Sequence, residues 1–224
     1  MNVGLISDPH ANYSALQIVL NELCPVVERI FCAGDLTGYY AEPNKVIQTI
    51  LDRGVIFTIG NHDWYIDHPP NKPNALLTQS IELTRSVIRP EYQNLLTMKE
   101  AELHLNVDGL RLAIFHGSPW DPLEEYIYPD YPEFNRFEEV EADVIILGHT
   151  HRPFTKWVAG RLIINPGSCG QPRDGDPRAS CAILNTTTKE VTIIRLEYDA
   201  SEELRAIQEK RLSKKLVRYL PVTV

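Results

Sequence analysis

Apolar residues in this chain fall into short unbroken runs, and five of those runs stop at a residue able to bind a metal. Val3-Gly4-Leu5-Ile6 leads to Asp8-Pro9-His10, and Ile30-Phe31-Cys32-Ala33 leads to Gly34-Asp35. Val55-Ile56-Phe57-Thr58-Ile59 leads to Gly60-Asn61-His62-Asp63. Leu112-Ala113-Ile114-Phe115 leads to His116-Gly117, and Val144-Ile145-Ile146-Leu147 to Gly148-His149-Thr150-His151. Runs of this length, bounded by turn residues, predict strands buried on both faces of a covered sheet. Open α/β sheets bind ligands at the carboxyl ends of their strands, where all five clusters fall.

Between the runs the period changes to that of a helix. Asn12 to Leu23 puts Leu16, Val19, Leu20 and Leu23 on one face, with Asn12 or Ser14 as the cap. Pro43 suits a first helical turn ahead of Val46, Ile47, Ile50 and Leu51. A longer helix is expected over Pro73 to Ile88. The second half is richer in strands: Leu103 to Val107 and Leu110 to Phe115 flank Asp108-Gly109, a type I′ hairpin dipeptide. Further strands are expected over Thr155 to Val158, Leu162 to Ile164, Ala179 to Leu184 and Val191 to Leu196. The pattern predicts an α/β fold, a layered αββα sandwich of two mixed β-sheets flanked by helices. No linker-like stretch divides residues 1–224, so one domain is expected.

Composition changes this picture little. The 43% hydrophobic and 23% charged residues are ordinary for a globular protein. A net charge of −8 speaks against a general nucleic-acid binder. No run is long and apolar enough to span a bilayer, and Asp8 and His10 interrupt the first apolar stretch, unlike a signal peptide. Cys24, Cys32, Cys169 and Cys181 form no CxxC pair, which predicts reduced thiols and a cytoplasmic protein.

The clusters mix carboxylate, imidazole and carboxamide, a donor set for divalent transition metals. Asp8/His10 and His149/His151 are each separated by one residue, which in an extended segment sends both side chains to one side. Asp35 suits a bridge between two metals, because a carboxylate offers two oxygens. Taken together, these five blocks resemble the calcineurin-like metallophosphoesterases. Asn165-Pro166-Gly167-Ser168 and Gly170-Gln171-Pro172-Arg173 are similar to the compact, single-domain phosphodiesterase branch. The resemblance implies one metal on Asp8, His10, Asp35 and His151, and a second on Asp35, Asn61, His116 and His149. Mn²⁺ is the first expectation, with Fe, Ni²⁺ or Zn²⁺ also accepted by such sites. It further implies that His62 faces the phosphoryl group, with Asp63 behind it fixing its tautomer. The implied reaction is phosphodiester hydrolysis by direct attack of a metal-bridging hydroxide on a small or nucleotide-like substrate. The alternatives are a non-catalytic scaffold of the same fold and a phosphomonoesterase or phosphoprotein phosphatase.

The second block reads Gly34-Asp35-Leu36-Thr37-Gly38-Tyr39-Tyr40 and lacks the arginine that follows this Asp in the family's protein phosphatases. That leaves phosphate binding to the metals, His62 and, as a candidate, Arg173. The Pro-, Tyr- and acid-rich stretch 120–137 is either a cover over the site or a surface loop. Residues 201–219 read as a helix whose basic second half (Lys210, Arg211, Lys214, Lys215, Arg218) is a solvated face. Tyr39, Tyr40, Tyr126 and Tyr128 are candidate groove residues. Cys169, beside Ser168, reads as a buried structural thiol, and His68 and His104 as ordinary residues outside the blocks.

Overall fold

The computed structural model describes residues 1–221. In chain order the first half runs β1 (Asn2–Ile6), α1 (Tyr13–Leu23), β2 (Arg29–Cys32), α2 (Pro43–Asp52), β3 (Ile56–Phe57), α3 (Asn61–Trp64), α4 (Ala75–Val87) and α5 (Pro90–Thr97). The second half adds β4 (Glu102–Val107), β5 (Leu110–Phe115), β6 (Val144–Ile146), β7 (Phe154–Val158), β8 (Arg161–Asn165), β9 (Ala179–Asn185), β10 (Val191–Leu196) and α6 (Ser201–Glu209). Two five-stranded mixed sheets form, in the orders β10-β9-β1-β2-β3 and β4-β5-β6-β8-β7. β1, β2 and β3 are parallel in the first sheet, and β5, β6 and β8 in the second.

Strand alternation explains the layering. On β1, Val3 and Leu5 point into the core between the sheets with Phe31, Ile114, Ile146 and Ile164. Ile6, on the other face, packs with Leu16, Val19 and Leu20 of α1 and Val46, Ile47 and Ile50 of α2. Each fully buried aliphatic side chain of this kind contributes about 2 kcal/mol of transfer free energy. The apolar runs are continuous because both faces of these strands are covered. The outer face of the second sheet is covered differently. Ile127 and a short 3-10 helix, Phe134–Glu139, lay Phe134 and Phe137 over Phe115, Ile145 and Ile163.

Local signals explain the element ends. Asn12 caps α1, accepting from the Ala15 N–H at 3.1 Å, and Pro43 opens α2. Asp108 (φ 52°) and Gly109 (φ 80°) are both left-handed between β4 and β5, as a type I′ turn requires. The helix expected from Pro73 starts instead at Ala75, capped by Asn74. The stretch 201–219 is not one helix. α6 ends at Glu209, Arg211 turns left-handed (φ 53°), and Lys214–Tyr219 forms a 3-10 helix. The break lets Ile207 on one side and Leu212, Leu216 and Leu220 on the other pack together around Tyr40. Lys210, Arg211, Lys214, Lys215 and Arg218 all remain exposed. No helix among the described residues is long and apolar enough to cross a membrane.

Candidate metal centre

The loops after β1, β2, β3, β5 and β6 converge at the strands' carboxyl ends, in the cleft between the two sheets. They bring Asp8, His10, Asp35, Asn61, His116, His149 and His151 together, all buried. The one-residue spacing of Asp8/His10 and His149/His151 does not act through an extended backbone, contrary to the sequence expectation. All four residues are left-handed, with φ of 53°, 49°, 65° and 57° in chain order, and so is Asp35 at 56°. Such conformations are disfavoured for residues with a Cβ and persist where surrounding contacts over-determine them. Here those contacts are backbone bonds between the loops: Asp8 N–H to Gly34 O at 3.0 Å and His10 N–H to Asp35 O at 2.9 Å.

The donor atoms form two sets. Asp8, His10, Asp35 and His151 make one, and Asp35, His116 and His149 the other. Asp35 Oδ2 belongs to both, 3.5 Å from His10 Nε2 and 3.4 Å from His116 Nε2. His10 Nε2 and His151 Nε2 are 3.1 Å apart, as are His116 Nε2 and His149 Nδ1. Asn61 Oδ1 joins the second set, 3.2 Å from His116 Nε2.

The other ring nitrogens are tied to carbonyl oxygens, which only accept. His10 Nδ1 donates to Thr37 O (3.0 Å), His116 Nδ1 to Ala33 O (2.7 Å) and His151 Nδ1 to Gln171 O (2.5 Å). His149 is reversed, with Nε2 donating to Glu124 O at 3.3 Å. A neutral imidazole fixed this way turns its lone pair inward, the usual arrangement behind a metal-binding histidine. Asp8 Oδ1 is fully buried without a hydrogen-bond partner. Inward lone pairs and an orphaned carboxylate oxygen fit divalent cations.

The buried charges of the cluster shift one another's titrations. Burial lowers His149 to about 3, helped by the charge of His116. Burial would lower His116 too, but Asp35 and Asp8 raise it to about 9. Burial opposes ionisation of Asp35 and Asp8, yet the neighbouring imidazoles hold both carboxyls below the usual carboxylate range.

A profile of the calcineurin-like phosphoesterase superfamily domain matches residues 1–189. The chain belongs to this superfamily. An uncharacterized protein of Methanocaldococcus jannaschii is 33% identical over 234 residues, 94% of this chain and 93% of its own length. A phosphodiesterase of the same organism is 27% identical over 203 residues, 88% of this chain and 100% of its own. The crystal structure of a metallophosphoesterase from Sphaerobacter thermophilus matches with a TM-score of 0.84 at 31% identity, covering 98% of each chain.

Around this phosphoesterase centre, His62 lies on α3 among aromatic rings, its centroid 4.8 Å from that of His10 and 4.4 Å from that of Tyr39. The His62 backbone N–H donates to Asp35 Oδ1 at 2.8 Å, which holds the start of α3 against the shared carboxylate. Burial pushes the imidazole down to about 4, with Asp35 opposing and Arg173 assisting. Gly38 (φ 92°) lies so close that any Cβ there would overlap the His62 ring. The expected pairing of Asp63 with His62 is not formed. The Asp63 carboxylate accepts instead from Leu36 N–H (3.1 Å), Thr37 N–H (2.9 Å), Thr37 Oγ1 (2.8 Å) and Gly60 N–H (3.1 Å). It therefore joins the Asp35 loop to α3, and its lone pairs are used up there.

Residues 165–173 form an outer support. Asn165 Nδ2 donates to Gly148 O (2.7 Å), and Ser168 Oγ to Asp8 O (2.7 Å), so one turn fastens two ligand loops. Arg173 Nη2 donates to Gln171 Oε1 (2.7 Å) and Tyr39 Oη (3.2 Å). Cys169 is buried, and burial raises its thiol well above the ordinary value. Tyr40 leaves the groove altogether, buried with its hydroxyl on Leu216 O. Tyr126 stacks on His149 with centroids 3.8 Å apart, and Tyr128 stacks on Tyr126 at 5.8 Å. Residues 120–137 thus reach the site while being fastened to the second sheet through Ile127, Phe134 and Phe137. His68 stacks on Trp64, and His104 is exposed on β4, both apart from the centre. The carbonyls of Ala33, Thr37, Glu124 and Gln171 were not legible beforehand, because a backbone acceptor has no residue-type signal.

Proposed function

We propose that the chain is a phosphodiesterase using two divalent metal ions, Mn²⁺ foremost, on a small or nucleotide-like substrate in a reducing, cytoplasmic setting. The observation that supports this best is the Asp35 carboxylate shared by two inward-facing donor sets, with Asp8 Oδ1 left unpartnered. Asp8, His10, Asp35 and His151 would hold one ion, and Asp35, Asn61, His116 and His149 the other. Ions so held would acidify a water and neutralise charge on the phosphoryl oxygens.

The chain's own residues then supply position and shape. Backbone carbonyls fix the four imidazoles, and the His62 ring is held by Gly38, Tyr39 and His10 next to the ligand sets. His62 is assigned to the leaving oxygen, to which its N–H would donate. Preference for diesters is supported by the related phosphodiesterase of Methanocaldococcus jannaschii. It also suits the Asp35 loop, where Tyr39 stands in place of an arginine. Tyr39 and Tyr126 offer aromatic surface to a nucleotide-like group. Cys24, Cys32, Cys169 and Cys181 are all free thiols, as in a reducing compartment.

The test is hydrolysis of bis-p-nitrophenyl phosphate and p-nitrophenyl phosphate by metal-stripped protein with Mn²⁺ restored. Diester turnover should return with the metal and vanish in Asp35→Asn. In His62→Ala it should fall about 10²- to 10⁴-fold, the usual range for a lost proton-transfer group. Two bound metals with no turnover of either ester would replace this reading with that of a scaffold.

A further inference from the structure

Beside the metal centre lies a second cavity, of about 310 Å³, between the β8–β9 loop and the C-terminal 3-10 helix. Pro172, Arg173, Gly175 and Asp176 line it on one side, Arg218 and Tyr219 on the other. Both guanidinium groups flank one ring. The Arg218 Cζ is 4.5 Å and the Arg173 Cζ 6.0 Å from the Tyr219 centroid. Arg218 also hydrogen-bonds the Tyr219 hydroxyl.

Among the described residues the charge in this cavity is not balanced. The two acids of the loop are each paired with a different arginine. Asp174 pairs with Arg195, and Asp176 binds Arg178 through Nη2–Oδ2 (2.6 Å) and Nε–Oδ1 (3.0 Å). Neither Arg173 nor Arg218 has a carboxylate partner among the described residues. Arg173 Nη1 makes no hydrogen bond there either, since its contacts to Gln171 and Tyr39 use Nε and Nη2. Two guanidiniums around one cavity, with donors to spare, match the fork geometry of a phosphate.

One lining residue, Arg173, also links the cavity to the centre. Arg173 donates to Tyr39 Oη, and the Tyr39 ring lies 4.7 Å from that of His10 and 4.4 Å from that of His62. An anion held here is one tyrosine away from the ligand sets. We propose that this cavity is a second anion subsite, so that the substrate is a phosphodiester carrying a further, non-scissile phosphate on the same molecule. The inference rests on the phosphodiesterase reading and narrows it to a substrate class. It also gives the basic C-terminal segment a role at the site, through Arg218.

Two esters with one scissile bond test this: thymidine 5′-(p-nitrophenyl phosphate) and its 3′-phosphorylated form, given to the Mn²⁺-loaded full chain. The 3′-phosphate should lower KM about tenfold, the scale of one charge-assisted hydrogen bond, and 200 mM salt should shrink the difference. Arg218→Gln, an exposed position, should bring the two KM values together, and Arg218→Glu should reverse their order. Equal KM values in the wild type, or a ratio unchanged in Arg218→Gln, would overturn the subsite. If neither ester is cleaved, the phosphodiesterase reading fails and calorimetry with thymidine 3′,5′-bisphosphate decides the subsite. Binding weakened about tenfold by Arg218→Gln upholds it; binding indifferent to Arg218 overturns it.

Discussion

His10 and His151 face each other through Nε2 atoms 3.1 Å apart, although they stand 141 positions apart in the chain. Each has its Nδ1–H committed to a carbonyl, of Thr37 and of Gln171, so both Nε2 atoms bring lone pairs to the same point. Two lone pairs at that distance repel unless a cation or a proton lies between them. Burial lowers the proton affinity of both rings, so the point suits a cation better than a proton.

Metal stoichiometry follows from that geometry. The protein reconstituted with Mn²⁺ should hold two ions per chain by elemental analysis, and Asp35→Asn, which removes the shared oxygen's charge, should hold fewer than one. Chelation should lower the melting temperature, because ligand at about 1,000 times Kd adds about 4 kcal/mol to the folded state. An unchanged melting temperature after complete metal removal would contradict the ligand assignment.

Gly38 tests how His62 is held. Gly38→Ala places a Cβ into the His62 ring at a left-handed φ, so the imidazole must shift. Turnover should fall about 10²-fold, as misplacements on the ångström scale do, while two metals remain bound. Loss of metal together with turnover would show instead that the loop collapses.

Asp63 should matter for stability more than for proton transfer. Asp63→Ala strands three backbone N–H groups, of Leu36, Thr37 and Gly60, in a buried place. The expected loss is about 3 kcal/mol or more in urea unfolding of the metal-free protein. Asp63→Asn, which keeps one acceptor oxygen, should lose less. Near-normal stability of the alanine variant with a shifted pH–rate profile would restore the role of orienting His62.

A pH dependence is expected at Glu203 of α6. It is 5% exposed, Oε1 accepts from the Ser14 N–H at 3.2 Å, and Oε2 has no partner. Burial raises its pKa above the ordinary 4.5. The folded state therefore binds this proton more tightly than the unfolded chain. Its contribution is fully present below about pH 4.5 and is lost as pH rises through the folded pKa. Glu203→Gln should raise the melting temperature at pH 8 and leave it unchanged at pH 4. A gain of equal size at both pH values would rule out the carboxylate as its source.

Much of the centre could be read in advance because metal ligation limits residue type. Only Asp, His, Asn and their like serve, and they must stand where apolar strands end. The hairpin at Asp108-Gly109 was equally legible, since few dipeptides accept two left-handed residues in succession. Other features carried no such restriction. α5, opened by Pro90, holds only Tyr92 and Leu96 in the core, too short a periodic pattern to stand out. The break after Glu209 depends on what Leu212 and Leu216 must reach, and that is Tyr40, far earlier in the chain.

The sequence by itself determined the layers and the candidate donors at the strand ends. Apolar periodicity states which faces are buried, and donor chemistry states which side chains can hold a cation, both properties of residues one at a time. Only the tertiary structure decided that Asp8, His10, His149 and His151 take left-handed backbones, that Asp63 serves the Asp35 loop rather than His62, and that Arg173 and Arg218 share a cavity. Each of these depends on which partners lie within about 3 Å, or around one ring, across dozens of intervening residues. Hydrogen bonds and unpaired charge are properties of such pairs, and pairs exist only once the chain has closed on itself.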